Sequence, residues 1–213
     1  KLVLVAVSAD GIQPLTGTLL GVQREPGGPI DALALYAKDE AGWLNLCHLV
    51  SAAHLARPLE LEPHVALADL AGHTDGLIAL TGAGEGGVTR LAAEGKLERA
   101  EELARHLAQL FPQRLYIELA RSGDPVEEAA EGALIDLAYA LDLPLVATND
   151  VHFLDAAEWE SHDVLLCIAE GAQVGQAERR RVTPEHRFKS AQEMAELFAD
   201  VPEALANTLV IAQ

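Results

Sequence analysis

The stretch from Ala147 to Leu154, ATNDVHFL, sets an aspartate and a histidine two positions apart where an apolar run ends. If the backbone stays extended through Val151, side chains two apart point to the same side, so Asp150 and His152 can share one cation. A carboxylate and an imidazole together suit zinc or manganese. Glu118, at the end of YIEL, falls at the same sheet edge in a parallel fold and offers a further carboxylate. A metal that activates water needs at least three protein ligands, so the pair alone is not a site. The other histidines, His48, His54, His64, His73, His106, His162 and His186, show neither H-x-H nor H-x-x-x-H spacing. Each reads as a packed or solvated residue, and Glu158 with His162, four apart on a helical stretch, reads as a surface pair.

Two further patterns invite chemistry. Gly82, Gly84 and Gly87 in TGAGEGGV satisfy G-x-G-x-x-G after a strand and before a helix. The helical stretch that follows is broken at Glu94-Gly95, and Glu118 lies about ten residues too far on to reach a ribose, so a plain glycine-rich turn is expected. A basic stretch, Arg179-Arg180-Arg181 with Arg187 and Lys189, is expected to be a solvated face. Neither a P-loop nor a G-x-S-x-G elbow is present.

The elements that must position these residues alternate. PLTGTLLGV, ALALYA, GLIAL, RLYIEL and LPLVAT are short, nearly continuous apolar runs, as expected for strands covered on both faces. Between them lie helical patterns over Glu40–Leu55, with Leu44, Cys47, Leu49 and Val50 on or near one face, over Leu97–Phe111, and over Pro125–Leu141. Asp124 and Pro125 make an N-cap and first-turn proline for the last of these. Ala156–Ala169, KSAQEMAELFAD with a Ser190/Glu193 capping box, and VPEALANTLVIAQ read as helices. Gln23–Pro29 reads as a hairpin-like turn. The alternation implies parallel pairing, in a barrel or an open sheet, with a barrel part over about 1–170 and a helical extension over about 171–213. LVLVAV near the start reads as a strand by propensity.

Bulk properties narrow the function. A chain of 213 residues can bury a sizeable core. A net charge of −18 argues against unaided nucleic-acid binding, which draws its affinity from Lys and Arg. Cys47 and Cys167 lack paired spacing and read as buried free thiols. No apolar run approaches the ~20 residues of a membrane span and no signal-peptide pattern is present, so no membrane contact and a cytoplasmic location are expected. With no initiator methionine, the chain is expected to be a piece of something longer.

The run from RLYIELARSGDPVEEAAEGALIDLAYALDLPLVATNDVHFLDAAEWESHDVLLCIAEG to HRFKSAQEMAELFADVPEALANTLVIA resembles the PHP (polymerase and histidinol phosphatase) domain near the N-terminus of the bacterial DNA polymerase III α subunit. The resemblance extends back through DGLIALTGAGEGGVTRLAAEG and LALYAKDEAGWLNLCHLVSAAH to GIQPLTGT. It implies an α/β fold, a distorted (β/α)7-type barrel incomplete at its N-terminus, with His, Asp, Glu or Cys metal ligands at the strand ends. Asp150 and His152 match the family's last motif. The opening H-x-H motif would precede Lys1, and the family's ligand positions on the next strands and after LTG are filled by Leu19, Ala32 and Ala83.

The resemblance therefore implies a segment of a replicative polymerase α subunit, a DNA-directed nucleotidyltransferase as a whole, in which this portion is mainly structural and its metal site degenerate. No cofactor is expected here, while the parent polymerase would use magnesium. The competing expectation is a metal-dependent phosphoesterase, or a 3′-5′ proofreading exonuclease, with zinc or manganese at the site and the missing ligands supplied from upstream. The implied partners are other domains of the α subunit, a proofreading subunit, and DNA reached through the parent protein.

Overall fold

Leucine- and valine-rich runs punctuated by glycine, proline and aspartate become strands joined by helices and tight turns. The computed structural model describes residues 2–3, 14–56, 58 and 60–213. Its strands are β1 (Leu2–Val3), β2 (Thr16–Gln23), β3 (Ile30–Ala37), β4 (Val65–Ala66), β5 (Leu77–Leu80), β6 (Leu115–Ala120) and β7 (Leu145–Thr148). Its helices are α1 (Glu40–Leu55), α2 (Gly87–Ala93), α3 (Leu97–Leu110), α4 (Pro125–Leu141), α5 (Trp159–Glu170), α6 (Ala191–Leu197) and α7 (Pro202–Ile211). Apart from Leu2–Val3, the strand expected near the start lies outside the described residues. Among these residues, no helix is long and apolar enough to cross a membrane.

The strands form one mixed sheet in the order β1-β2-β3-β5-β6-β7, with β4 also on β2. The turn after Gln23 makes β2 and β3 an antiparallel hairpin, and β5 is antiparallel to β3, whereas β5, β6 and β7 are parallel. The β2–β3 hairpin agrees with the turn expected over Gln23–Pro29, while the antiparallel β3–β5 pair corrects the expectation that the alternation implies parallel pairing. The hairpin reverses the chain, and α1 then returns it so that β5 runs against β3; only from β5 onward does each helix act as a crossover that restores direction. β2, β5, β6 and β7 thus run the same way, and their C-terminal ends share one rim with the start of β3.

Alternation along the strands separates two faces. Leu33, Leu35, Leu77, Leu115, Ile117 and Leu145 turn to one side and join the main core with residues of α1, α3 and α4, such as Leu46, Leu107 and Leu134. Ala34, Ile78, Leu80, Tyr116 and Val146 form a smaller cluster on the other side, against which Ile211 of α7 packs. β3, β5, β6 and β7 are therefore apolar on both faces, the reason their sequences are continuous runs.

Local signals set the helix ends. The Asp39 carboxylate accepts the Gly42 N–H at 2.9 Å to start α1, and Asp124 accepts from Val126 at 2.6 Å beside Pro125 to start α4. Ser190 and Glu193 form the capping box of α6. The buried stripe of α1 is Gly42, Leu46, Leu49 and Ala53, not the face that includes Leu44 and Cys47. Leu44 is exposed and Cys47 half-buried, so only Cys167 is the buried thiol expected of both. Residues 156–158 form a 3-10 turn ahead of α5 rather than its first turn.

The C-terminal helices are held by apolar packing of Phe198, Val201 and Ala204 in the core, by an Asn207 amide bond to the Leu145 carbonyl of β7 at 2.7 Å, and by Arg121. Its guanidinium pairs with Glu131 on α4 and with Asp200 between α6 and α7, each at 2.7 Å, and donates to the Leu197 carbonyl. The same group lies 4.7 Å over the Phe198 ring, adding a cation–π contact.

Candidate metal centre

β7 ends at Thr148, short of the extension through Val151 that the sequence suggests, yet Asp150 and His152 still meet. A distant segment takes over their support. The His152 N–H donates to the His186 carbonyl at 2.9 Å, the Phe188 N–H to the Phe153 carbonyl at 2.9 Å, and the Asn149 amide to the Arg187 carbonyl at 2.9 Å. This short ladder clips residues 186–188 alongside 149–153. Thr183 anchors the returning chain by donating its hydroxyl to the Ser122 carbonyl, and Trp159 donates to the Val182 carbonyl at 2.6 Å.

The ladder sets His186 against the predicted pair. His152 Nε2 lies 3.0 Å from Asp150 Oδ2, and His186 Nε2 lies 3.8 Å from the same oxygen. One ligand atom from each of the three residues falls within 4.8 Å of the others. The His152 contact, reinforced by His186 and Arg180, holds the Asp150 carboxyl below its ordinary range. His162 stands beside the group, its ring 5.2 Å from that of His152. Its Nε2 is shielded from solvent and has no hydrogen-bond partner. Burial, followed by the nearby His152, Arg180 and His186, pushes its pKa down.

Glu118 reaches the same rim but serves the fold. Its Oε2 accepts the Gly82 N–H at 2.9 Å, and its own N–H donates to Thr81 Oγ1 at 3.0 Å. Burial pushes its carboxyl up, against hydrogen bonds from Thr148, Gly82 and Ala83 that favour the charged form; Asp150 nearby adds to the rise. It does not join the three-donor group.

The glycine pattern also has a structural origin. Gly82 adopts φ +87°, and a Cβ there would lie 2.2 Å from the Ala32 carbonyl oxygen; one on Gly87 would lie 2.6 Å from Asp31 Oδ2. The glycines let β3 approach the turn after β5, while Asp31 takes a bidentate grip on Arg90 of α2 at 2.7 and 3.0 Å. Leu19, Ala32 and Ala83 occupy this half of the rim, and a cavity of about 520 Å3 opens there, lined in part by Leu19, Ala32 and Gly84.

Other expectations need correction. The basic stretch is not a free solvated face: Arg179 pairs with Asp163 at 2.5 Å, Arg187 with Glu193 at 2.8 Å, and Lys189 is buried near Asn149 and Glu185. Arg180 and Arg181 are the exposed part that fits the expectation. Glu158 does not turn to His162, because its Oε2 accepts the Leu154 and Asp155 N–H groups at 3.0 and 3.2 Å. His186, set aside by spacing, is the functional candidate that sequence reasoning missed. No short-range signal marks it, since the ladder that brings it in spans a loop without sequence periodicity.

The donor set decides which metal chemistry the residues fit. Leu19, Ala32 and Ala83 are aliphatic and cannot ligate, so the described residues do not fit the multi-metal cluster implied by the family resemblance. Asp150, His152 and His186 bring one carboxylate and two imidazoles together, but His186 Nδ1 accepts the Thr183 N–H at 3.1 Å, which leaves its ring proton on the Nε2 that faces Asp150.

Comparison with known proteins agrees with this architecture. A family model described as the PHP domain matches residues 3–122. DNA polymerase III subunit alpha from Caulobacter vibrioides is 47% identical over 95% of the chain, which covers 18% of that protein. The Rickettsia bellii protein of the same name is 40% identical, with 95% and 17% covered, and the Escherichia coli K12 protein is 36% identical, with 95% and 18% covered. The chain thus spans under a fifth of the length of these curated relatives. With a mixed α/β sheet, metal-ligand types at the end of β7 and a family model over more than half its length, the chain belongs to the PHP domain family.

Proposed function

We propose that the chain is the PHP portion of a DNA polymerase III α subunit and that it serves the polymerase as a structural module, not as a phosphoesterase. The carrying observation is the side-chain chemistry of the rim: the fold is retained around Leu19, Ala32 and Ala83, where a hydrolytic cluster would need donors. The sheet is then one wall of a PHP-type barrel that braces the rest of the subunit and offers a surface to a proofreading subunit. DNA is gripped elsewhere, consistent with the net charge of −18. Magnesium-dependent nucleotide transfer belongs to other parts of the subunit, and a cytoplasmic location follows from this role.

The test separates shape from chemistry. In the longer polypeptide, Asp150→Asn is expected to leave nucleotide incorporation intact, whereas Gly82→Ala, which disturbs the rim's backbone, lowers it together with stability. Incubated with single-stranded DNA and manganese or zinc, the chain is expected to release no nucleotides. Metal-dependent release lost in Asp150→Asn would overturn the structural reading. It would favour the second reading, a phosphoesterase, which the convergence of Asp150, His152 and His186 keeps in play.

A further inference from the structure

We propose that the outward face of α5, built on Val164, Leu165 and Ile168, is the seat of a segment of the same polypeptide outside residues 1–213, one with apolar anchors and a basic rim. The inference rests on the reading above in taking the chain as part of a longer α subunit, and it names the surface through which that part is braced.

α5 is turned inside out relative to an ordinary surface helix, which buries its apolar stripe and shows charge to water. Its buried positions are Asp163 and Cys167. The Asp163 carboxylate is committed there to Arg179, whose guanidinium donates to both oxygens, at 2.6 and 2.5 Å. Val164, Leu165 and Ile168 are instead 44%, 62% and 72% exposed. Their helical spacings of three and four make the three side chains neighbours on one face. α3 is the internal contrast: it buries Ala100, Leu103, Ala104 and Leu107 and turns Glu102, Arg105 and His106 outward. Single exposed leucines are ordinary, but adjoining aliphatic side chains on a helix that buries an ion pair mark a contact surface.

Three observations choose the occupant. The charged side chains that flank the stripe on α5, Glu160 and Glu170, are both acidic and exposed, so lysine or arginine beside the partner's apolar anchors is complementary and DNA is not. A second copy would bring another net charge of −18 against the first. The chain covers only 18% of a curated relative's length, so most of such a polypeptide lies outside residues 1–213. A tethered segment meets the face at an effective concentration on the order of millimolar, which lets a small apolar contact hold.

The test uses the purified full-length α subunit with p-benzoyl-phenylalanine in place of Leu165. Irradiation is expected to cross-link α5 to peptides from outside residues 1–213 at the mass of one subunit. Mixing isotopically light and heavy subunits separates these from links between copies. In the same subunit, Ile168→Glu should speed amide exchange across α5 about tenfold or more, whereas Leu97→Glu, at an exposed apolar position on α3, should leave it unchanged. Circular dichroism shows whether the variants keep the fold, and the cross-link is read independently of them. Links only between copies, links only within residues 1–213, no link at all, or α5 exchange indifferent to Ile168→Glu in a folded subunit overturns the proposal and leaves the structural reading standing. Metal-dependent nucleotide release from single-stranded DNA, with the link to the outside segment present, overturns the structural reading and supports the seat on α5.

Discussion

The two halves of the rim are built from different backbone devices and opposite side chains. Around β2, β3 and the turn after β5, the positions that face the rim are Leu19, Ala32 and Ala83, and order comes from the glycine-permitted approach at Gly82 and the Asp31–Arg90 pair. At the end of β7, order comes from a polar clip, and Asp150, His152 and His186 converge. Glu118 joins the halves, bonded to Gly82 on one side and within the field of Asp150 on the other. The difference teaches that the rim's geometry does not depend on metal ligands. Backbone packing and a polar clip hold it.

The comparison can be broken most forcefully at Gly82. Gly82→Ala places a Cβ against the Ala32 carbonyl in a left-handed conformation, and strain plus overpacking should cost about 3 kcal/mol or more. Chemical denaturation checks this; a loss below about 1 kcal/mol would show that the depleted half is not held by close backbone contact.

Next comes the joint between the halves. Glu118→Leu strands the Gly82 N–H and should cost about 2 kcal/mol, while Glu118→Gln keeps an acceptor and costs less. The pH response carries a sign. Because the folded-state pKa of Glu118 is raised, its contribution is complete below the ordinary carboxyl range and is lost as pH rises toward the raised value. Denaturation midpoints of wild type should therefore fall relative to Glu118→Gln over that interval; parallel profiles would refute the assignment.

Arg121→Ala sharpens the contrast by loosening the C-terminal helices that follow the clip. Loss of its charged hydrogen bonds should cost about 2 kcal/mol and hasten amide exchange in α6 and α7 before the sheet. Arg121 holds the Asp200 carboxyl down to about 2 from its usual 3.8. A depressed carboxyl contributes fully above its unfolded value, so this contact should persist above pH 3.8 and fail as pH falls through about 2. Amide exchange followed down to pH 2 checks it.

The smallest effect is expected at Leu19. Leu19→Glu restores one acidic donor to a half-exposed position and should shift stability by no more than about 0.5 kcal/mol. Metal stoichiometry should also stay unchanged, because neighbouring Ala32 and Ala83 supply no co-ligand. A bound ion gained in this variant would show that the depleted half needs only one donor to work.

Much of this was legible in the residues. The bounds of α1 and α4 match the periodic segments and their caps, since an N-cap aspartate and a first-turn proline act within a few residues. Asp150 and His152 were singled out by their two-residue spacing, yet β7 stops at Thr148 and their support comes from residues 186–188. The antiparallel fit of β3 to β5 was not legible: a strand apolar on both faces carries no mark of its neighbour's direction. Nor was the role of Glu158, because a carboxylate that caps local N–H groups has the same i, i+4 spacing as one that pairs with His162.

The amino-acid sequence by itself determined most of the secondary elements, the two-sided apolar strands and the aliphatic residues at Leu19, Ala32 and Ala83, all set by local or periodic interactions. Only the tertiary structure decided that Glu118 turns to Gly82 and that His186 joins the pair. Both depend on hydrogen bonds between segments far apart in the chain, whose closure reflects the packing of the whole sheet and leaves no pattern in the intervening residues.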